Sequence, residues 1–411
     1  MTSEPDHAFV WVWPPGELTP IVAGRLDVAF DVIEFTYARS YLERSSSLPL
    51  YLPELPLRRG PISPLVGDVA GCIADSGPDS WGQRIILNRS LGADALDTTQ
   101  LGRLSYLLES GSDRIGALDF QSSPVNYVPR LAGQATLEEL LESAQRVEAG
   151  VPLTPALDEA LIRGSSIGGA RPKALLSDGA RRLIAKFSST SDTYPLVKGE
   201  FISMTLAARA GLNVARVELT EALGKDVLLV ERFDRTPEGC RRALVSALTV
   251  LGLDEASFRY GTYWELAVAI RERFTDPDRT LRELFSRIIF NILTGNNDDH
   301  PRNHAAFWDG ERLTLSPAYD MAPQPRVGGE TAQLMAIGRD GWRKSNVAGA
   351  VRYASEYHLT SEDAREIIAH QIGIIRDSWA EVCEAAQLTE VDRRYLWGRQ
   401  YLNRFALEGL Q

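Results

Sequence analysis

Gly295-Asn296-Asn297-Asp298-Asp299-His300-Pro301-Arg302-Asn303, followed by Ser316-Pro317-Ala318-Tyr319-Asp320, decides how this chain is read. Asp298 and Asn303 fit the spacing D-x-x-x-x-N, in which an aspartate takes the hydroxyl proton of a phosphoryl acceptor and an asparagine holds a magnesium ion. Asp320 stands where a second metal-binding aspartate is expected. Between the two segments, Ala305-Ala306-Phe307-Trp308 and Arg312-Leu313-Thr314-Leu315 flank Asp309-Gly310. Asp-Gly between apolar runs predicts a β-hairpin, which would return Asp320 to the neighbourhood of Asn303.

Two other readings of the stretch stay open at this level. Asp298, Asp299 and His300 could form a polar loop that caps the preceding helix. Asp298, Asp299, His300 and His304 could also ligate zinc or manganese in a metallohydrolase, although the chain has only five histidines.

Leu281, Leu284, Phe285, Ile288 and Ile292 recur at helical spacing and lead directly into Gly295. Thr360-x-x-Asp363 and Thr389-x-x-Asp392 predict two further capped helices. From about residue 243 onward helices dominate.

Upstream the pattern shortens to strands over Ala174–Leu176, Leu183–Phe187 and Val227–Val230. One helix is expected near Glu200–Ala210, ended by Gly211. Lys186 lies inside the apolar run Leu183-Ile184-Ala185-Lys186-Phe187, so it either meets a charged partner or snorkels to water. Glu200, placed at the helix start, would either pair with it or complement the helix dipole.

Ser165-Ser166-Ile167-Gly168-Gly169-Ala170-Arg171-Pro172-Lys173 is a small-residue turn whose glycines let backbone N–H groups approach phosphate oxygens. An ordinary hairpin turn is the plainer reading. Val227 to Arg235 is a buried strand leaving into a charged turn.

Phe9–Trp13 and Val32–Tyr37 read as strands of an N-terminal β-rich module. Prolines at 49, 53, 56, 61 and 64 make the segment from Leu48 to Pro64 either a linker or a buried extended arm. Asp79-Ser80-Trp81-Gly82 looks like a capped helix start, and Thr136-Leu137-Glu138-Glu139 opens a helix toward Glu148.

A hydrophobic fraction of 44% and a charged fraction of 24% are those of a globular protein. The net charge of −11 excludes a grip on nucleic acid through the whole surface. Three scattered cysteines, Cys72, Cys240 and Cys383, suggest reduced thiols in a cytoplasm. The polar N-terminus and the short, interrupted apolar run Leu284–Leu293 suggest neither export nor a membrane span.

Taken together, S-I-G-G-A-R-P-K, L-I-A-K-F, E-F-x-x-M-x-L-A-x-x-A-G-L-N-V, V-E-R-F-D-R, G-N-N-D-D-H-P-R-N and S-P-A-Y-D resemble the HipA family of bacterial serine/threonine kinase toxins. L-P-L-x-L-P and P-D-S-W-G resemble that family's N-terminal subdomain. The resemblance implies an α+β, bilobal protein-kinase-like fold of the HipA type: a β-rich N-terminal lobe with an extra N-terminal subdomain, and a mainly helical C-terminal lobe. The corresponding divisions are residues 1–120, 121–242 and 243–411.

The same resemblance implies an ATP- and Mg2+-dependent kinase, the toxin of a type II toxin–antitoxin pair associated with persistence. Asp298 matches the catalytic base, Asn303 and Asp320 the magnesium ligands, and Lys186 the lysine on the ATP phosphates. Gly168, Gly169, Ala170, Arg171, Pro172 and Lys173 match the nucleotide-binding loop. Glu231, Arg232 and Phe233 match the adenine hinge, and His300 and Asn303 fall among the nucleotide contacts. Ser166 aligns with the autophosphorylated serine, with Ser165 an adjacent candidate.

The implied partners are a helix-turn-helix antitoxin of the HipB type, operator DNA mainly through that antitoxin, and a protein substrate such as an aminoacyl-tRNA synthetase. A catalytically silent co-repressor working with the same antitoxin is the competing class. Asp299, Pro301 and Arg302 fill positions that vary in the family, and an extra carboxylate at Asp299 leaves its effect on metal affinity or acceptor choice open.

Overall fold

The computed structural model describes residues 4–92, 97–131, 135–149, 151, 154, 171–189, 192, 194–325 and 329–410. They fall into two compact units: Met1–Thr190 with Thr220–Val245 and Phe307–Glu311, and Ser191–Leu219 with Ser246–Ala306 and Arg312–Gln411.

The first unit begins with a sheet of order β4-β3-β2-β1-β5, formed by β1 (His7–Val12), β2 (Ile21–Ala29), β3 (Val32–Tyr37), β4 (Pro61–Ile62) and β5 (Leu118–Gln121). Every neighbouring pair is antiparallel. Period-two alternation puts Leu26 and Phe35 into the core.

The proline-rich segment is an anchored arm: Leu50, Tyr51, Glu54, Leu55 and Ile62 are buried, while Leu57, Arg58 and Arg59 are exposed. Tyr37 donates its hydroxyl to Leu55 O at 2.7 Å and accepts Leu50 N–H at 2.9 Å, and Glu54 accepts the N–H groups of Gly71 and Cys72 at 2.8 and 2.9 Å. Trp308 donates to Pro49 O at 2.9 Å. Prolines suit such a path because they hold an extended backbone without an N–H to satisfy.

A second sheet contains β6 (Lys173–Asp178), β7 (Arg181–Phe187), β8 (Val217–Ala222) and β9 (Lys225–Glu231) in the order β6-β7-β9-β8. Ala174, Ala185, Phe187 and Val227 pack on Trp81 and Ile85 of α1 (Ser80–Leu91) and on Leu140 and Leu141 of α2 (Leu137–Glu148). Asp79 caps α1, and a complete Thr136–Glu139 capping box opens α2.

Two buried ion networks hold the turn regions of this unit. Arg114 reaches Asp119 at 2.7 Å, and Arg130 reaches the same carboxylate at 3.1 Å. Asp234 accepts Arg232 at 2.8 Å, Arg235 at 2.9 Å and the Gly116 N–H at 2.8 Å. Asp113 accepts Arg235 at 2.7 Å and Arg232 at 3.1 Å. Burial alone would raise these three carboxyls, but the adjacent guanidinium groups hold all of them below the ordinary carboxylate value.

A carboxyl depressed on folding stabilises above its unfolded pKa, about 3.9 for aspartate, and loses that contribution as pH falls through the folded value. Thermal melts are therefore expected to be nearly level from neutral pH to about pH 5 and to collapse below about pH 4. A melting temperature unchanged at pH 3 would show that the networks contribute nothing.

The second unit is mainly helical: α3 (Leu196–Arg209), α4 (Tyr263–Arg273), α5 (Pro277–Thr294) and α6 (Ser361–Ala385) are its longest helices. α3 starts four residues ahead of the expected Glu200, which therefore lies in the second turn, buried to 5% exposure, rather than at the dipole-facing end. Gly211, at φ +82°, ends the helical segment as expected. Asp276 caps α5 with Pro277 in its first turn, and Leu281, Leu284, Phe285, Ile288 and Ile292 are fully buried. Thr360 and Asp363 form the expected capping box of α6. Among the described residues no helix is long and apolar enough to cross a membrane.

Candidate active site

The site begins where α5 stops. Gly295 adopts φ +72°, and the Asn296 N–H bonds to Asn291 O at 2.9 Å, closing the helix end. A Cβ at Gly295 would lie 2.9 Å from Gln400 O, so both backbone conformation and space require glycine. The loop beyond is anchored by Asn296 Nδ2 to Asn291 Oδ1 at 3.1 Å and by Asn297 Nδ2 to Thr331 Oγ1 at 3.1 Å.

Pro301–Asn303 makes one 3-10 turn, with the Asn303 N–H on His300 O at 2.8 Å. Asn303 is buried, whereas Asp298 is exposed. The His300 ring meets Phe258 edge-on at 5.5 Å.

The anticipated hairpin is present. β11 (Ala305–Trp308) and β12 (Leu313–Leu315) are neighbours in a sheet with β10 (Leu244–Ser246), and Gly310 turns between them at φ +105°. The Ser316 N–H bonds to Ala305 O at 2.9 Å, and Ala318 is held by Asn213 O and the Ala215 N–H at 2.8 and 2.9 Å. Tyr319 then donates its hydroxyl to Arg302 O at 2.6 Å. Arg302 precedes Asn303 and Tyr319 precedes Asp320, so this bond ties the two expected metal-binding segments together. Asp320 has φ +59°, an uncommon conformation for a residue with a Cβ and one that concentrates at functional positions.

The electrostatics separate the neighbouring aspartates. Although its side chain reaches solvent, the packed loop strips part of the hydration from Asp298 and raises its carboxyl above the ordinary value. His300 opposes this, while the negative charges of Asp320 and Asp299 add to it. Asp299 is buried, which alone would raise it, but His304 and Tyr263 hold it below the ordinary value. Asp299 Oδ2 accepts from Tyr263 at 2.5 Å and Asn291 Nδ2 at 2.9 Å, and lies 2.7 Å from His304 Nε2.

That network was not legible in the sequence. Its one local trace is Asn291, a polar residue on the buried side of an apolar helix. It also ties up the carboxylate that a hydrolase centre of Asp298, Asp299, His300 and His304 would need. Among the described residues no group of three or more His, Cys, Asp or Glu side chains is arranged to hold a metal ion.

The candidates of the first unit separate likewise. Ser165, Ser166, Gly168, Gly169 and Ala170 lie outside the described residues. Pro172 accepts the Phe187 N–H at 3.1 Å, and Lys173 opens β6 with its Nζ 3.7 Å from Asp79. Lys173 and Lys186 are direct cross-strand partners, so both ammonium-bearing chains leave the same face of the sheet. Glu231 ends β9 opposite Leu183. Phe233 meets Phe307 edge-on at 6.0 Å.

Arg232, in the segment expected to be the hinge, has its side chain and N–H engaged within the first unit. Its N–H bonds to Arg182 O at 2.8 Å, and its side chain is spent on Asp234 and Asp113. Its side chain serves the buried ion network, and its N–H serves the backbone of β7 through Arg182 O.

Residues 165–379 match the HipA-like C-terminal domain model, and residues 18–121 match the HipA N-terminal domain model. The chain is 27% identical over 355 residues to a Sinorhizobium fredii protein named "Putative kinase Y4mE", covering 76% of this chain and 79% of that one. It is 27% identical over 183 residues to the Shewanella oneidensis serine/threonine-protein kinase toxin HipA, covering 38% of this chain and 42% of the toxin. A solved structure of the Shewanella oneidensis HipA, HipB and operator DNA complex contains a chain that superposes with a TM-score of 0.68 at 21% identity, covering 95% of this chain and 93% of that one. The fold is therefore α+β and kinase-like. With the C-terminal domain model alone matching more than half of the 411 residues, the chain belongs to the HipA family of kinases.

Proposed function

We propose that this chain transfers the γ-phosphoryl group of ATP to serine or threonine hydroxyls in a magnesium-dependent reaction, as the toxin of a bacterial toxin–antitoxin pair. The observation that carries this reading is the Tyr319–Arg302 bond, which ties the segment ending in Asp320 to the loop that bears Asp298 and Asn303.

Asp298 is the general base. It is exposed to an incoming hydroxyl, and its raised carboxyl makes it a better proton acceptor than an ordinary aspartate. Asn303 and Asp320 offer two hard oxygen donors, and the repulsion between Asp320 and Asp298 is relieved by a cation, so these residues fit magnesium. Held by Asn303 and Asp320, magnesium would supply charge neutralisation for the transferring phosphoryl oxygens.

Lys186, sharing its sheet face with Lys173, offers an ammonium to the α- and β-phosphates. The 168–173 loop and the segment from Glu231 to Phe233 would hold the rest of the nucleotide.

Autophosphorylation at Ser166 or Ser165 follows from the same reading, as does control by a small DNA-binding antitoxin. The solved Shewanella oneidensis complex of HipA, HipB and operator DNA supports the choice of partner class. Purified protein given Mg2+ and ATP is expected to gain phosphate within the 165–166 pair, detectable by peptide mass spectrometry. Failure to bind nucleotide or to incorporate phosphate would favour the silent co-repressor. Hydrolysis supported by zinc or manganese without ATP would favour the hydrolase.

A further inference from the structure

Asp298 and Asn303 each have a chain neighbour whose side chain is buried, and those two neighbours bond to each other. Asp299, adjacent to Asp298, lies 2.7 Å from Nε2 of His304, adjacent to Asn303. Both side chains are only 4% exposed. The bond closes the loop across its base, so the separation of Asp298 and Asn303 is set by a side-chain clasp as well as by the backbone.

The clasp is fixed to two helices. Tyr263, the first residue of α4, donates to Asp299 Oδ2 at 2.5 Å, and Asn291, in the last turn of α5, donates to the same oxygen at 2.9 Å. The Tyr263 ring also meets the His304 ring edge-on, with centroids 5.8 Å apart. The backbone completes the frame, because His304 O accepts the Ala247 N–H at 2.7 Å. A carboxylate committed to three buried partners is poorly placed to bind metal or acceptor.

We infer that Asp299 and His304 are positioning residues: their buried pair, held by Tyr263 and Asn291, sets the placement of the base Asp298 relative to the magnesium ligand Asn303. This rests on the kinase reading for the roles of Asp298 and Asn303, while the clasp itself is a property of the loop. Supporting partners of this kind commonly carry 10–100-fold effects on metal affinity or rate.

The test compares wild type, Asp299→Asn, His304→Ala, His304→Gln and Tyr263→Phe as full-length proteins. Asp299→Asn and His304→Ala are expected to lower kcat by about 10–100-fold and to raise the Mg2+ concentration for half-maximal rate, with a smaller change in KM for ATP. His304→Gln, which keeps an N–H donor for Asp299, is expected to recover most of the loss. The double variant Asp299→Asn/His304→Ala should be no worse than the poorer single one, because both break one contact. Tyr263→Phe removes a single donor and keeps the ring, which provides a milder case if Asp299→Asn does not fold.

Hydrogen exchange of residues 296–304, measured without nucleotide or metal, reads the clasp independently of catalysis. Loss of the pair should speed exchange there by about tenfold or more. Faster exchange with an inactive wild type would uphold the clasp and sink the kinase reading. Variants that lose melting temperature but keep wild-type kcat, Mg2+ dependence and loop protection would overturn the inference.

Discussion

Asp298→Asn is expected to lower the rate of phosphoryl transfer by about 10²–10⁴-fold, the contribution of a positioned general base. Stability should change little, since exposed substitutions away from special features usually stay within about 0.5 kcal/mol. Asparagine keeps the shape of the side chain but cannot take the acceptor proton. It also removes a negative charge beside Asp320 that a cation would neutralise, so nucleotide binding should be retained and magnesium binding retained or slightly weakened while turnover is lost. Single-turnover kinetics with Mg2+ and ATP, together with a melting curve, separate the two effects. Equal rates for the variant and wild type would remove Asp298 from the role of base.

The largest stability effect is expected at Asp234, far from Asp298 in the chain. Asp234→Ala withdraws one of the two carboxylates that neutralise the buried guanidinium groups of Arg232 and Arg235 and leaves the Gly116 N–H without its acceptor. Removing one partner of a buried ion cluster costs about 3–5 kcal/mol, because the remaining charge stays desolvated. For a unit of this size that corresponds to a fall in melting temperature of roughly 10 °C. Arg25→Ala breaks an exposed pair with Asp27 at 2.9 Å and should cost less than about 1 kcal/mol. Similar losses in the two variants would mean that the Asp234 network is not a principal support of the first unit.

Local rules made much of the fold legible. The Asp309-Gly310 turn, the glycine ends at Gly211 and Gly295, and the capping boxes at Thr136 and Thr360 each depend on residues a few positions apart. All of them appear where the sequence puts them. The elements that went unread or were misplaced carry weak or misleading local signals. β8 went unread because V-E-L-T-E-A is a partly exposed strand without a clean apolar face. The start of α3 at Leu196 was masked by Pro195, which precedes the first turn rather than interrupting the helix.

The site divides in the same way. The D-x-x-x-x-N spacing and the hairpin leading to Asp320 are short-range features and were readable together. Asp299 looked like a spare carboxylate because Tyr263 is 36 positions upstream. The engagement of the Arg232 side chain was not readable because the backbone carbonyls that hold it belong to Asp113 and Arg114, 119 and 118 positions away. Sequence spacing shows which residue types are near one another in the chain, while the job of a buried charge is decided by what folding brings against it.

The most direct measurement is transfer of labelled γ-phosphate from ATP to serine in the purified protein, run with Mg2+, with EDTA and with Asp298→Asn. Label on the 165–166 pair or on an added protein acceptor, lost with EDTA and reduced by at least about 10²-fold in Asp298→Asn, is the expected result. No label in folded wild type with Mg2+ and ATP, or equal labelling of wild type and Asp298→Asn, would contradict the assignment of this loop as the phosphoryl-transfer site.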